Sequence, residues 1–274
     1  MNINQVIHYP QDEMNTVLLP VTIGCSYNRC AFCSMYKGIE FSQVPLSNIE
    51  IQLKHGKIYT EKVFLTGADP MVIGFDKMKQ LLEMIHDYLP YCACVASYGS
   101  IKSISKYSID ELSTLHDKGL RLLYIGFETG KDKVLQLMKK GHTIDEALKE
   151  AKKLNEAKLP FNTIIIYGIA GRGKSVHNGI ASAKMINQFI TNKVITMNLT
   201  VFHGTELSNM VERGEFIPSS RAERLIEIKT LLENLKAKTQ TIFDTSHPTN
   251  IINIKGTLPY DKKRLIDEVN KHIT

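Results

Sequence analysis

Short apolar strands alternate with amphipathic helices along most of this chain, and no other feature constrains its fold so strongly. Between the strands, apolar residues recur at helical spacing, as at Met78, Leu81, Leu82 and Ile85. Such alternation predicts a parallel sheet whose strands are joined by right-handed crossovers. The predicted strands are six runs rich in β-branched or apolar residues: 17–23, 62–66, 92–97, 121–126, 162–167 and 194–201.

Capping signals support the predicted helices. Ser47, Ser108 and Thr143 each stand three residues before a Glu, as in a capping box. The sequence therefore predicts the fold class α/β, as a partial (β/α)6 TIM-like barrel with parallel strands and a C-terminal helical extension. The expected parts are an N-terminal segment at 1–16, the barrel at 17–217, and the extension, packed on the barrel, at 218–274.

The cysteine count and the lack of long apolar runs narrow the class of protein. The chain has 274 residues, 43% of them hydrophobic, and five cysteines. An odd number of thiols without a secretory leader argues against an exported disulfide framework, so we expect a cytoplasmic protein. No run reaches the about 18 apolar residues that suggest a membrane span. The net charge of +6 is too small to indicate nucleic acid by itself.

Three of the cysteines lie close together in GCSYNRCAFCSMYKG, directly after the first predicted strand. Cys25, Cys30 and Cys33 have the spacing C-x4-C-x2-C. Thiolates on one loop can converge on a metal centre, and their softness selects iron–sulfur clusters or zinc. Neither a fourth Cys nor a His stands nearby to complete four ligands. A structural zinc site needs four protein ligands. A loop that supplies three therefore indicates a metal centre with an open coordination position, at which a reaction can take place.

This loop resembles the cluster loop of the radical S-adenosylmethionine (SAM) superfamily. The usual spacing there is C-x3-C-x2-C with an aromatic residue before the last Cys; Phe32 has that place, and the first gap here is one residue longer. The resemblance implies that Cys25, Cys30 and Cys33 hold a [4Fe–4S] cluster whose free position is filled by SAM. The alternatives are a zinc knuckle in a non-catalytic metal-binding module, or unrelated buried thiols.

Further motifs follow the later strands in the order that this superfamily requires. FLTGADP, at 64–70, is similar to its glycine-rich segment, with Ala68 and Asp69 in place of Gly and Glu. YIGFETG, at 124–130, is similar to its ribose motif, and Lys140 stands where some members carry an Arg for the SAM carboxylate. The resemblance implies that these residues contact SAM: Phe32, Gly67, Ala68, Asp69, Ser97, Glu128, Lys140, Ile166, Gly168 and Val201.

Several of these positions also have a structural interpretation. Ser97 is equally typical of a helix cap, and Lys140 of a solvated helix terminus favoured by the helix dipole. An aliphatic residue such as Val201 is common in a barrel core. Cys92 and Cys94 alternate on the third strand, which is more typical of apolar filling than of a redox site.

A second motif points to a different chemistry. GIAGRGKS, at 168–175, matches the phosphate-loop pattern G-x4-G-K-[ST], follows an apolar strand and precedes a predicted helix. On this alternative, Lys174 would reach the outer phosphates of a nucleotide and Ser175 would hold magnesium. The next strand, however, has no acidic residue at its end, and phosphate loops usually follow a first strand. We favour the similarity of Ile166, Gly168 and the following turn to the adenine-binding turn of radical SAM proteins.

The resemblance implies a radical SAM enzyme whose overall reaction is that of an oxidoreductase, transferase or lyase. A [4Fe–4S] cluster would reductively cleave SAM to a 5′-deoxyadenosyl radical, which would abstract hydrogen from an unidentified substrate. A small molecule or a tetrapyrrole is the favoured substrate and RNA a possible one. Flavodoxin or ferredoxin is the expected electron donor, and no membrane partner is expected. The roles of His247, Lys174 and Ser175 stay open.

Overall fold

The computed structural model describes residues 7–273, so residues 1–6 of the predicted N-terminal segment and the last residue of the extension lie outside the described part. Two 3-10 helices occupy Gln11–Glu13 and Pro70–Ile73. The strands are β1 (Val17–Pro20), β2 (Thr22–Ile23), β3 (Ser42–Gln43), β4 (Lys62–Thr66), β5 (Cys94–Gly99), β6 (Leu120–Glu128), β7 (Phe161–Tyr167), β8 (Lys193–Asn198), β9 (Thr241–Asp244) and β10 (Lys255–Leu258). The helices are α1 (Leu46–Lys54), α2 (Phe75–Tyr88), α3 (Ile101–Ile104), α4 (Ile109–Asp117), α5 (Asp132–Leu137), α6 (Ile144–Glu156), α7 (Ser175–Ile186), α8 (Glu206–Glu212), α9 (Arg221–Asn234) and α10 (Lys262–Asn270).

The main sheet has eight strands in the order β1-β4-β5-β6-β7-β8-β9-β10. β1 pairs in parallel with β4, β4 with β5, and β7 with β8, in which Tyr167 lies opposite Asn198. β9 is parallel to β8, whereas β10 runs antiparallel along β9. β2 and β3 form a separate two-stranded antiparallel ribbon. Successive parallel strands joined through helices are what the sequence pattern predicts.

The chain divides into two compact units, and β6 runs from the first into the second. The first unit holds the described residues through Asn28, together with Met35–Tyr124 and Glu156–Pro160. The second holds Arg29–Ser34, Ile125–Asn155 and the described residues from Phe161 onward. None of the helices described between residues 7 and 273 is both long and apolar enough to span a membrane.

Aromatic side chains form part of the core of the first unit. Phe64 contacts Tyr98 and Tyr124 edge to face, with ring centroids 5.1 and 5.9 Å apart. Glu13 is fully buried beside them, where it accepts a hydrogen bond from the Tyr124 hydroxyl at 2.6 Å and pairs with Lys62 at 2.7 Å. Residue 13 of the predicted N-terminal segment is thus tied into this unit.

The second unit has its own core. Phe127 and Phe189 stack with centroids 5.1 Å apart, and Phe161 lies against both rings. Helices α7 and α9 pack closely at Gly179. A Cβ added there would lie only 2.9 Å from the Glu227 carbonyl oxygen. The absence of a side chain at Gly179 therefore sets the distance between these two helices.

Most predicted elements are present with shifted ends. The capping boxes of α4 and α6 form as expected at Ser108 and Thr143. Ser47 is not a cap, because α1 begins at Leu46 after Pro45. β8 ends at Asn198, so Val201 lies in the loop beyond the strand rather than on it.

The extension contains more than the predicted helices. Between α9 and α10 lie β9 and β10, which lengthen the main sheet by two strands. Each has only four residues, TIFD and KGTL, too short to show an alternating pattern against their polar flanks. The predicted boundaries at 17–217 and 218–274 stay a prediction.

Candidate functional site

The middle of the cysteine loop is held by main-chain hydrogen bonds within the second unit. Ala31, which is buried, donates its N–H to the Met138 carbonyl at 2.9 Å, just after α5. Its own carbonyl accepts from the N–H of Leu207, in the first turn of α8, at 2.8 Å. Both backbone groups of one residue are therefore bonded to two different helical segments, which fixes the loop between Cys30 and Cys33.

The thiols of the loop form no disulfide bond within the described residues and are partly accessible. Cys30 and Cys33 are half-buried, and the Cys33 N–H donates to the Cys30 carbonyl at 3.3 Å. Cys25 belongs to the first unit, where its Sγ accepts from the N–H of Asn28 at 3.3 Å. Within residues 7–273 the structure gathers no set of three or more His, Cys, Asp or Glu side chains of the kind that holds a metal ion. The donor set of soft thiols outside any disulfide bond nevertheless fits an iron–sulfur cluster.

An ion pair lies at the carboxyl end of β6. Glu128, the last residue of the strand, is buried, and its Oε1 accepts from the Lys140 Nζ at 2.5 Å. The backbone of Glu128 is left-handed, with φ of 63°. A residue with a Cβ adopts this conformation at a cost of about 1–2 kcal/mol, and such strain is concentrated at functional sites.

Negative charge surrounds Lys140. Burial works to lower the pKa of the Lys140 ammonium. The charges of Glu128, Cys30 and Cys33 outweigh burial, so the pKa stands above its ordinary value. A cation is therefore held beside two of the three thiols of the loop, where it compensates thiolate charge.

The ion pair explains why the motif at 124–130 has a glycine at position 126. A Cβ at Gly126 would overlap Oε1 of Glu128 and lie 3.0 Å from the Lys140 Nζ. Any side chain here would displace the pair from the strand end.

In the first unit, the residues of the glycine-rich segment have protein partners. Gly67 has φ of 124°, and a side chain there would overlap the hydroxyl of Thr22. The Asp69 carboxylate is buried and accepts from the hydroxyls of Ser100 at 2.6 Å and Ser103 at 2.9 Å, at the start of α3. Gly67 is thus required by packing against Thr22, and Asp69 fixes the turn after β5.

Two further predicted residues of this unit differ in accessibility. Ala68 is half-buried, whereas Ser97 is fully buried and donates its hydroxyl to the Tyr98 carbonyl at 2.9 Å. Ser97 is not a helix cap, since that place belongs to Ser100.

Three predicted SAM contacts share one apolar cluster in the second unit. Ile166 belongs to its buried part, and Phe32 and Val201 pack against it. Their neighbours include Met138 and Leu207, whose backbones bind Ala31. The cluster therefore joins the cysteine loop to the end of β7.

The turn after β7 has little capacity left for phosphate. Gly168 has φ of 81°, and its N–H donates to Oε2 of Glu227 at 3.0 Å. The N–H of Arg172 donates to the Ile217 carbonyl, and that of Gly173 to the carboxylate of Glu223. Because a phosphate loop binds its anion through such N–H groups, and two carboxylates here already accept from them, nothing in this turn supports the nucleotide-binding alternative.

Sequence reasoning missed a buried polar chain behind this turn. Glu227 of α9 also accepts from the side-chain amide of Asn178, whose Oδ1 in turn accepts from the Thr129 hydroxyl at 2.6 Å. Burial raises the pKa of Glu227 to about 7, although these bonds work in the opposite direction. The available signal was a Glu between Leu225 and Ile228, on the apolar face of the helix.

The loop after β9 packs on the ends of two strands. Asn250 donates to the carbonyls of Thr196 and Thr245 at 2.7 Å each and accepts from the Tyr167 hydroxyl at 3.0 Å.

His247 is half-buried, and burial lowers its pKa. Burial likewise raises the pKa of the Cys92 thiol in the first unit, which agrees with apolar filling.

A family model matches the part of the chain that contains the cysteine loop and the ends of β4 to β7. The model of the radical SAM superfamily matches residues 19–175, more than half of the chain. The tRNA uridine(34) acetyltransferase of Methanocaldococcus infernus is 25% identical over 129 residues, which cover 47% of this chain and 24% of that protein. The chain thus spans about a quarter of the length of the curated relatives it matches.

Solved structures show the same fold. Coproporphyrinogen III oxidase from Escherichia coli, a radical SAM enzyme, matches 80% of this chain and 51% of its own with a TM-score of 0.61 and 11% identity. Methylornithine synthase matches 94% of this chain and 81% of its own with a TM-score of 0.57 and 14% identity. These likenesses confirm the predicted α/β class with a mostly parallel sheet.

Proposed function

Since this chain belongs to the radical SAM superfamily, whose members are enzymes, we propose that it binds a [4Fe–4S] cluster and SAM and performs radical chemistry on a substrate. The proposed cluster ligands are Cys25, Cys30 and Cys33. When bound, the cluster and SAM would supply the one-electron chemistry by which a hydrogen atom is removed from the substrate. The observation that carries the proposal is the buried ion pair of Lys140 and Glu128 at the end of β6, in which the charges of Cys30 and Cys33 also act on Lys140.

Glu128 and Lys140 are proposed to orient SAM. Lys140 has three ammonium donors and uses one on Glu128, so it can also bind the SAM carboxylate. Glu128 uses Oε1 for Lys140, which leaves Oε2 to accept from a ribose hydroxyl. The left-handed backbone aims this carboxylate before any ligand arrives, so little ordering remains to be done on binding.

The apolar cluster is proposed to receive the adenine and exclude water. Ile166, Phe32 and Val201 offer aliphatic and aromatic surface beside the turn at Gly168. Exclusion of water protects a carbon radical from side reactions. In the first unit, Gly67, Ala68, Asp69 and Ser97 stay predicted SAM contacts.

Iron analysis tests the proposal directly. Protein purified without oxygen is expected to contain about four irons and four sulfides per chain. With dithionite as reductant it is expected to convert SAM into 5′-deoxyadenosine. Alanine at Cys25, Cys30 or Cys33 is expected to abolish both, whereas Cys92→Ala, a matched control outside the loop, is expected to retain both. Retention of the cluster after all three loop cysteines are replaced would contradict the proposal.

The substrate is proposed to be a small molecule or a tetrapyrrole, with RNA as the second candidate. The match to tRNA uridine(34) acetyltransferases supports testing RNA. Total tRNA and small-molecule extracts are compared for their stimulation of 5′-deoxyadenosine formation, with flavodoxin or ferredoxin as the proposed donor. The structure of the product formed from the stimulating fraction then decides between an oxidoreductase, a transferase and a lyase.

A further inference from the structure

Helix α9 of the extension directs a buried carboxylate at the turn after β7. Glu227 is 2% exposed, and both of its oxygens accept hydrogen bonds: Oε2 from the Gly168 N–H at 3.0 Å, and Oε1 from the Asn178 amide at 2.7 Å. A buried carboxylate is costly unless its oxygens are satisfied, and an apolar residue would be the cheaper filling for a helix interface. The carboxylate at this position therefore calls for a reason other than packing.

The same carboxylate is connected to the end of β6. Asn178 of α7 is fully buried, and its Oδ1 accepts from the Thr129 hydroxyl at 2.6 Å. Thr129 directly follows Glu128, the strained residue that bonds Lys140. One chain of three side chains thus runs from α9 through α7 to the residue beside the ion pair.

The helix that carries Asn178 packs tightly on both neighbouring segments, which restricts movement of these hydrogen-bonded side chains. A Cβ at Gly130 would overlap the backbone of α7 at Ala181, and the Gly130 N–H donates to the Ser182 hydroxyl at 3.0 Å. In the same helix, Gly179 allows the close approach of α9. Displacement of α9 would consequently shift residues at the ends of both β6 and β7.

We propose that Glu227 is a positioning residue for SAM, which fixes the Gly168 turn directly and the Glu128 strand end through Asn178 and Thr129. This inference rests on the proposed function, since it takes Gly168 and Glu128 as SAM contacts. It assigns the extension a part in cofactor binding.

The donor and acceptor pattern provides the test. Glu227→Gln keeps size and shape but has one acceptor and one donor. If its oxygen accepts from the Gly168 N–H, its NH2 group faces the NH2 group of Asn178, and Asn178 relieves this clash only by turning its amide over, which takes Oδ1 away from the Thr129 hydroxyl. The double variant Glu227→Gln with Asn178→Asp reverses the pair: the new amide on α9 would donate to the new carboxylate on α7, which still accepts from the Thr129 hydroxyl. All three hydrogen bonds are restored with the same net charge.

SAM affinity and amide exchange are the readouts. We expect Glu227→Gln to weaken SAM binding, measured by titration calorimetry on the cluster-loaded protein, roughly tenfold, by analogy with supporting residues of metal sites. Iron content should be unchanged. Hydrogen exchange should accelerate in peptides 166–172 and 125–131. The double variant should return SAM affinity to within about twofold of wild type, and Glu233→Gln, an exposed Glu on the same helix, should change neither readout.

Two results would overturn the inference. If wild type binds SAM and all variants bind it equally tightly, the chain of hydrogen bonds has no role in binding. If the double variant is no better than Glu227→Gln, the effect of the single change was not transmitted through Asn178. Wild-type protein that loads iron but does not bind SAM would instead overturn the proposed function, and this inference with it. Thr129→Val, nearly isosteric, provides a second probe if the Glu227 variants do not fold, and should loosen only peptide 125–131 while weakening SAM binding.

Discussion

At the scale of single residues, the Glu128 and Lys140 pair shows what a motif can and cannot reveal. Similarity to a ribose motif singled out Glu128, and Lys140 was compared with a carboxylate-binding Arg. Neither observation predicted that the two side chains bond each other, nor that the Glu128 backbone is left-handed. Backbone strain at a residue depends on its neighbours in the fold, and the residue that bonds the Glu128 carboxylate, Lys140, lies twelve positions further along the chain.

Glu128→Gln should destabilise the protein by about 3 kcal/mol, because it leaves the largely buried Lys140 charge without its carboxylate. The exposed pair of Lys139 and Glu206 is a matched control, and Glu206→Gln should cost less than about 1 kcal/mol. Anaerobic urea unfolding of the three proteins measures both effects. Equal costs for the two variants would contradict the assignment of a buried pair.

The buried carboxyl of Glu227 predicts a pH dependence of stability. Its pKa is raised from 4.5 to about 7, so between these values the unfolded chain loses the proton while the folded chain keeps it. The free energy of unfolding of wild type, relative to Glu227→Gln, should therefore decline from about pH 4.5 to about pH 7, by up to about 3 kcal/mol, and be level above. Urea unfolding of both proteins across this range measures the difference; a difference that rises with pH would contradict the burial effect.

At the scale of elements, the interface of α7 and α9 depends on one missing methyl group. In an isolated helix, Gly to Ala stabilises by about 1 kcal/mol. At Gly179 the new Cβ would lie 2.9 Å from the Glu227 carbonyl and 3.1 Å from the Thr230 Cβ. We expect Gly179→Ala to destabilise by about 1–3 kcal/mol, measured by thermal unfolding.

Val176→Ala on the exposed face of α7 is the control for this helix and should be close to neutral. If Gly179→Ala were as stable as wild type, the close approach of the two helices would not depend on that glycine.

Element types were easier to predict than element ends. Long apolar runs such as 162–167 were visible because several β-branched residues adjoin, and the structure gives β7 there. Val201 was placed on a strand that ends three residues earlier, since LTV continues the β-branched pattern after the sheet pairing has stopped. Ser47 matched a capping pattern, but α1 already begins at Leu46, one residue earlier, with Pro45 at the N-cap position.

At the scale of the whole molecule, the order of motifs along the chain was enough to predict the superfamily and the parallel sheet. The residues that support those motifs were not predictable, because Glu227, Asn178 and Thr129 act through contacts between distant segments. The two short strands of the extension were missed for a related reason: four residues become a strand only when a neighbouring edge is available for pairing.

The hydrogen bond from Gly168 to Glu227 also bears on the order in which the protein matures during its synthesis. These residues are 59 positions apart, so at about 5–20 residues per second a ribosome needs roughly 3–12 s to add the second after the first. The nascent barrel strands emerge with this turn still lacking its carboxylate acceptor. Loading of SAM should accordingly follow the emergence of α9, and a ribosome-bound chain stalled before Glu227 should not yet retain the cofactor.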